Sequence, residues 1–196
     1  EIILVGVSII LGTPLPILPA QILWTNIIEE GFMNFAFAFE PKEKDVMKRD
    51  PHVSSMKNIL TPNLKRLIVL ISMVTGIFLM ALYFFLLYLN IPIDEIRTFM
   101  FIALSIDSIF FAFSIKNLHK PIWKIKIFSN KYLLASLSMS TFMLFAALTF
   151  PPLQKLLSLT PPSMFEFSLI LILGLFNLTV IELVKYLVFE KKKRII

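Results

Sequence analysis

Long apolar runs, separated by polar connections, dominate the sequence. An apolar run predicts a membrane-crossing helix when it reaches about 20 residues. Five runs predict full spans, with bounds at 19–39, 64–90, 97–116, 131–150 and 164–189. A sixth run, residues 2–13, is too short to cross about 30 Å of hydrocarbon. We expect it to be a truncated helix, and the chain to be a fragment of a longer protein.

Prolines cluster between these runs. Because proline lacks a backbone N–H and clashes with the preceding turn, the clusters indicate helix ends. We therefore predict an all-α, polytopic transmembrane helical bundle of one partial and five full spans, with no sheet. A helical hairpin at 1–50 and a four-helix membrane domain at 51–196 would form its two parts.

The composition agrees with a membrane protein. The chain is 57% hydrophobic and only 16% charged, with a mean hydropathy of +0.82, whereas soluble domains are about 45–50% apolar and about 25% charged. These values exclude a disordered chain and argue against an ordinary soluble enzyme. The absence of cysteine excludes disulfide scaffolds and thiolate zinc sites. The five glycines form neither a phosphate loop nor a dinucleotide fingerprint.

The net charge of +6 follows from topology. Of the 19 lysines and arginines, 17 lie in three segments, 42–66, 116–131 and 185–194, which alternation of the spans places on one side. The positive-inside rule assigns that side, with the C-terminus, to the cytoplasm. The basic residues therefore predict contact with a lipid bilayer and no nucleic-acid partner.

Carboxylates inside the predicted spans are the candidate functional groups, because an ionisable side chain in a bilayer is costly and usually marks an ion path. Asn26, Glu29 and Glu30 are spaced i, i+3 and i+4, which places them on one face of a helix. Glu1 lies about 18 Å before the proline turn and Glu29 about 16–17 Å after it, at ~1.5 Å per residue. An antiparallel hairpin would bring them to the same depth.

Carboxylate and amide oxygens at one depth predict a hard-cation site. Gly31 weakens the helix beside it, so local unwinding would expose carbonyl ligands. The alternative is that these glutamates are protonated or paired and only pack the bundle. For Glu182, which has Lys185 one turn away, a local ion pair is the expected reading.

Residues 1–51 resemble the fifth and sixth transmembrane helices of cation-transporting P-type ATPases. The family pattern is a glutamate, a proline turn, then P-x-Q-(I/L)-L-W-x-N-L-x-x-D-G and a tail P-x-x-x-D-(I/V)-M-x-(R/K). The chain has Glu1, Pro14, P-A-Q-I-L-W-T-N-I-I-E-E-G at 19–31 and P-K-E-K-D-V-M-K-R at 41–49. Residues 63–189 resemble the C-terminal four-helix part in hydropathy and order, and S-N-K-Y-L-L at 129–134 is typical of bacterial members.

The resemblance implies a set of metal ligands. Glu1, Asn26 and Glu30 fall on the glutamate, asparagine and aspartate ligands of calcium-pump-like members. Glu29 falls where these members have a threonine ligand. This difference from the family pattern leaves the identity of the transported ion open. The eighth-helix glutamate ligand aligns with Ser108, and the adjacent Asp107 is carried over as a candidate.

The chain contains no D-K-T-G phosphorylation motif or P-E-G-L element. The resemblance therefore implies that ATP and Mg²⁺ belong to upstream domains of the same pump, and that this chain alone does not hydrolyse ATP. The transported cation could be Ca²⁺ or another ion, and the location a bacterial plasma membrane. Lys48 and Arg49 would dock the phosphorylation domain. A stand-alone carrier or channel and a purely structural membrane subunit remain the alternatives.

Overall fold

The computed structural model describes residues 1–41, 62–117 and 121–189. Within these ranges every regular element is helical, as predicted. The α-helices are α1 (Ile2–Ile10), α2 (Pro19–Trp24), α3 (Glu30–Ala36), α4 (Pro62–Tyr88), α5 (Ile93–Ile115), α6 (Lys131–Thr149), α7 (Pro151–Leu157) and α8 (Met164–Phe189). A π-helical turn, Thr25–Glu29, joins α2 to α3, and short 3₁₀ turns lie at Phe37–Phe39, Ile122–Lys124 and Ile127–Ser129.

The protein is an integral, multi-pass membrane protein. Four described helices, α4, α5, α6 and α8, are long and apolar enough to cross a bilayer. The span predicted at 19–39 is helical throughout, but it is divided into α2, the π-helical turn, α3 and a 3₁₀ turn. The loop that carries Lys48 and Arg49 lies outside the described residues, as does the basic tail. The docking role and the cytoplasmic orientation stay predictions.

Glycine, rather than proline, ends α1. Gly12 adopts a left-handed conformation, with φ of 65°. Its N–H donates to the carbonyl of Ile9 at 3.1 Å, and the N–H of Thr13 donates to the carbonyl of Ser8 at 3.0 Å. These are the two hydrogen bonds of a Schellman motif, which satisfies the last carbonyls of a helix. The helix therefore stops at Ile10, three residues before the predicted end.

The start of α5 and the presence of α7 also differ from the prediction. α5 begins at Ile93 rather than 97, because Asp94 and Glu95 occupy its first turn, where negative charge is favoured by the helix dipole. α7 was not predicted at all. Pro151 and Pro152 open this helix, since proline is well suited to the first helical turn.

α5 is the central helix of the bundle. Of the most apolar 18-residue stretch of α5, 56% is buried inside the protein, whereas the corresponding stretches of α4 and α8 are 22% and 28% buried. It packs against α4, α6, α8 and the π-helical turn. Side chains on α5 therefore reach both the first hairpin and the C-terminal helices.

Polar contacts fix both ends of the segment that contains the π-helical turn. At one end the Tyr83 hydroxyl donates to the carbonyl of Pro14 at 2.5 Å. At the other, the Asn130 amide donates to the carbonyl of Ala36 at 3.0 Å. These bonds tie the hairpin to α4 and to the start of α6.

The predicted ion pair between Glu182 and Lys185 is confirmed, with an Nζ–Oε1 distance of 2.9 Å. Both residues are 2% exposed. Ser114 joins the pair, because its hydroxyl donates to Glu182 at 2.5 Å and its carbonyl accepts from Lys185 at 2.7 Å. The second carboxylate oxygen accepts from the N–H of Ile122 at 2.7 Å. The pair thus connects α8 to the end of α5 and to the following loop.

Candidate functional site

The π-helical turn changes the predicted arrangement of Asn26, Glu29 and Glu30, the three polar residues of the span predicted at 19–39. A π-helix closes its hydrogen bonds over five residues rather than four, so positions three apart no longer share a face. Asn26 is exposed, Glu30 is half-buried and Glu29 is fully buried. The expectation that all three lie on one face is therefore wrong. Gly31 does not unwind the helix either, since it lies within α3 and the irregular turn precedes it.

The hairpin brings Glu1 beside the second helix. The Asn26 amide donates to Oε2 of Glu1 at 3.1 Å, across 25 residues of sequence. The carboxylates of Glu1 and Glu30 are close enough to repel one another. Glu1, Asn26 and Glu30 therefore form one neighbourhood, which lies at the start of α1 and on the exposed side of the π-helical turn.

Ser108 of α5 completes the surroundings of Glu30. Its hydroxyl donates to Oε1 of Glu30 at 2.5 Å, across 78 residues of sequence. The resemblance had aligned this serine with a ligand position, and the structure places it in contact with a predicted ligand. A carboxylate and a hydroxyl that already meet offer two oxygen ligands to a hard cation.

Glu29 lies in a second neighbourhood, on the other side of the helix. The hydroxyl of Ser105 and the indole N–H of Trp24 face its carboxylate. Both act on the carboxylate as hydrogen-bond donors, although the contacts fall outside strict hydrogen-bond geometry in the part of the chain that is described.

Ser140 of α6 holds the backbone of the same residue. Its hydroxyl is fully buried and donates to the carbonyl of Glu29 at 2.5 Å. This contact pins the end of the π-helical turn to α6. The sequence reasoning missed Ser105 and Ser140, because a serine in an apolar helix is usually a packing residue and only its neighbours reveal its direction.

Asp107 lies in a third neighbourhood. Its carboxylate accepts a short hydrogen bond from the amide of Asn177 on α8. The same amide lies 3.4 Å from the Thr75 hydroxyl of α4. Asp107 is thus turned toward α4 and α8, whereas its neighbour Ser108 is turned toward Glu30. One residue corresponds to about 100° of helix rotation, which accounts for the divergence.

The five predicted ligands do not form a single closed set. Among the described residues, no three Asp, Glu or His side chains lie close enough together to hold a metal ion. The carboxylate of Glu30 nevertheless stays within electrostatic reach of the carboxylates of Glu29 and Asp107. The arrangement consists of three adjacent polar neighbourhoods around α5.

Ionisable and amide side chains on apolar helices are typical of membrane transport proteins. The model of the family "Cation transporting ATPase, C-terminus" matches residues 14–187. The chain belongs to this family, as its sequence motifs predict.

Three relatives show how far the similarity extends. The chain is 28% identical to the Calcium-transporting ATPase 1 of Bacillus cereus over 94% of its length, and 29% identical to the Probable cation-transporting ATPase F of Mycobacterium tuberculosis over 79%. It is 26% identical to the Calcium-transporting ATPase of Bacillus subtilis over 80% of its length. The chain spans only 22%, 17% and 17% of these three proteins.

Proposed function

We propose that this chain is the ion-binding membrane part of an ATP-driven cation pump. In this proposal the rest of the pump supplies the phosphorylation and nucleotide domains, with ATP and Mg²⁺, and forms the partner of this chain. Ca²⁺ is the preferred candidate ion, because two of the relatives are named calcium-transporting and oxygen ligands suit it. The proposed location is a bacterial plasma membrane.

The contact between Glu30 and Ser108 is the observation that carries the proposal. It joins a carboxylate on the irregular turn to a hydroxyl on the central helix, next to Glu1 and Asn26. Irregular turns inside transmembrane helices are common where transporters bind ions. We propose Glu30, Asn26, Glu1 and Ser108 as ligands of one cation.

Glu29 and Asp107 are proposed as further ligands. Both carboxylates lie within electrostatic reach of Glu30, and a bound cation would offset the repulsion between them. A purely structural membrane subunit, the alternative function, would need these carboxylates only for packing. Their replacement by amides would then leave ion binding unchanged.

Glu30→Gln in the full-length pump tests the function. The substitution keeps the size of the side chain but removes its charge, so we expect the apparent Ca²⁺ affinity to fall at least 100-fold, equivalent to about 2.7 kcal/mol. The measurement is Ca²⁺-dependent phosphorylation by ATP.

Glu95→Gln is the matched control, because Glu95 is an exposed acid in the first turn of α5. It should leave the Ca²⁺ affinity unchanged. If Glu30→Gln also keeps wild-type affinity for Ca²⁺, Mn²⁺ and Na⁺, the proposed ion-binding function is wrong.

A further inference from the structure

α3 is a short helix between two irregular turns. It has seven residues, with the π-helical turn before it and the 3₁₀ turn Phe37–Phe39 after it. Irregular turns of this kind often mark hinges, so a continuous α-helix does not set the direction of α3. Contacts with other helices must fix it. Since Glu30 is the first residue of α3, whatever holds this helix also places that carboxylate.

α6 is the main partner of α3 outside its own segment. The Ser140 hydroxyl donates to the carbonyl of Glu29, directly before α3, at 2.5 Å. The Asn130 amide donates to the carbonyl of Ala36, the last residue of α3, at 3.0 Å. Both side chains of α6 that make these bonds are buried. The two ends of α3 are therefore tied to the same neighbouring helix.

Apolar packing fills the space between these two hydrogen bonds. Met33 and Ala36 of α3 belong to the same buried cluster as Leu133 and Leu137 of α6. Buried apolar side chains pack closely and resist displacement. α3 and the first half of α6 therefore form one packed unit.

A second restraint holds the chain just beyond α3. The Asn130 amide also donates to Oε2 of Glu40 at 3.0 Å, and Oε1 of Glu40 lies 3.7 Å from Nζ of Lys116. Lys116 is itself fixed, because its ammonium group donates to the carbonyls of Lys126 and Ile127 at 2.8 and 2.6 Å. The end of the segment is thus anchored to the loop between α5 and α6.

α2, on the other side of the π-helical turn, is held by a different element. The amide of its Gln21 donates to the carbonyl of Leu157 on α7 at 2.9 Å. The two halves of the helix are therefore anchored separately, and the π-helical turn lies between the anchors.

We propose that α6 positions the Glu30 site, with Asn130 and Ser140 as positioning residues that hold α3 at its two ends. Each acts through the backbone of this segment, whereas the Glu30 carboxylate itself is bonded by Ser108 of α5. A ligand that is held in place before binding loses less freedom when the ion binds, so it binds more tightly. This inference rests on the proposed function of the chain as the ion-binding part of a pump.

Ser140→Ala and Asn130→Ser in the full-length pump test this role. Serine can still cap α6, as Asn130 does by accepting from the N–H of Leu133, but it removes the amide that bonds α3. We expect each variant to raise the Ca²⁺ concentration for half-maximal phosphorylation about tenfold, the scale of one lost hydrogen bond. The maximal level of phosphorylation should stay unchanged. Amide hydrogen exchange in residues 30–36 should become faster in both variants.

Ser136→Ala is the matched control. Ser136 is buried on α6 one turn before Ser140, but its hydroxyl bonds within its own helix, to the carbonyl of Leu133 at 2.9 Å. This variant should match the wild type in Ca²⁺ affinity and in exchange. Equal losses in Ser136→Ala and Ser140→Ala would mean a general packing defect and would overturn the inference. Faster exchange in α3 at wild-type Ca²⁺ affinity would overturn it too, because α3 would then be loosened without effect on the site.

Parallel measurement of Glu30→Gln separates this inference from the proposed function. If Glu30→Gln loses Ca²⁺ affinity while Ser140→Ala and Asn130→Ser keep it, the positioning role is wrong and the proposed function stands. If Glu30→Gln keeps wild-type affinity, the proposed function fails and the positioning role fails with it. A fall in maximal phosphorylation at unchanged affinity in Ser140→Ala and Asn130→Ser would mean only a loss of folded pump and would also overturn the positioning role.

Discussion

Replacement of Lys185 by methionine is expected to destabilise the bundle by about 3–5 kcal/mol, the usual cost of breaking a buried ion pair. Methionine fills a similar volume, so the loss comes from charge rather than from a cavity. The Glu182 carboxylate would stay buried at 2% exposure without its cation, and the carbonyl of Ser114 would lose its donor. Thermal unfolding in detergent, followed by tryptophan fluorescence, measures the effect.

Asp94→Asn is the matched control for this experiment. Asp94 and Arg97 form an ion pair with the same spacing and a similar distance, 3.0 Å, but the Asp94 side chain is 65% exposed. Exposed pairs contribute at most about 1 kcal/mol, so this variant should unfold close to the wild-type temperature. Similar losses in both variants would contradict the assignment of the stability to burial.

A double variant, Lys185→Met with Glu182→Leu, isolates the charge. It removes the uncompensated carboxylate and should recover part of the stability. Recovery should be incomplete, because the N–H of Ile122 and the carbonyl of Ser114 would still lack their side-chain partners. A double variant less stable than Lys185→Met alone would show that the hydrogen bonds of Glu182 matter more than the charge.

Most of the fold could be predicted from the sequence, because membrane-spanning helices are set by the length of apolar runs. α8 begins and ends where its apolar run and flanking charges predicted. The predicted helix ends were wrong where one residue type can either begin or end a helix. Pro151 opens a helix instead of separating two, and Gly12 ends one before the prolines do. Both effects depend on backbone conformation, which apolar patterning does not report.

The candidate site was less predictable, because it depends on the direction of individual side chains. The motif locates Asn26, Glu29 and Glu30 as candidates along the chain, but the i, i+3, i+4 argument assumes a regular α-helix. The π-helical turn turns Glu29 toward Ser105 instead. No pattern in the sequence signals that turn. The end of the turn is stabilised by the hydrogen bond from Ser140 to the carbonyl of Glu29, across 111 residues of sequence.

Gly174 allows a close approach between α5 and α8. A Cβ atom at this position would lie 2.6 Å from Cγ2 of Ile106 and 3.2 Å from the ring of Phe110. Small residues at such crossings let transmembrane helices pack closely. Ile106 is buried at 4% exposure, and its β-branched side chain is stiff at χ1. We therefore expect Gly174→Ala to destabilise the bundle by about 1–3 kcal/mol, the usual cost of overpacking.

Gly6→Ala provides the control, since a Cβ there would meet no atom within 4 Å. Alanine is favoured over glycine in a helix by about 1 kcal/mol, so this variant should be as stable as the wild type or more so. The same unfolding measurement applies to both variants. Gly174→Ala combined with Ile106→Ala should be more stable than the sum of the single losses predicts, because each change removes the other's clash or cavity. Additive losses would show that the two helices separate rather than collide at Gly174.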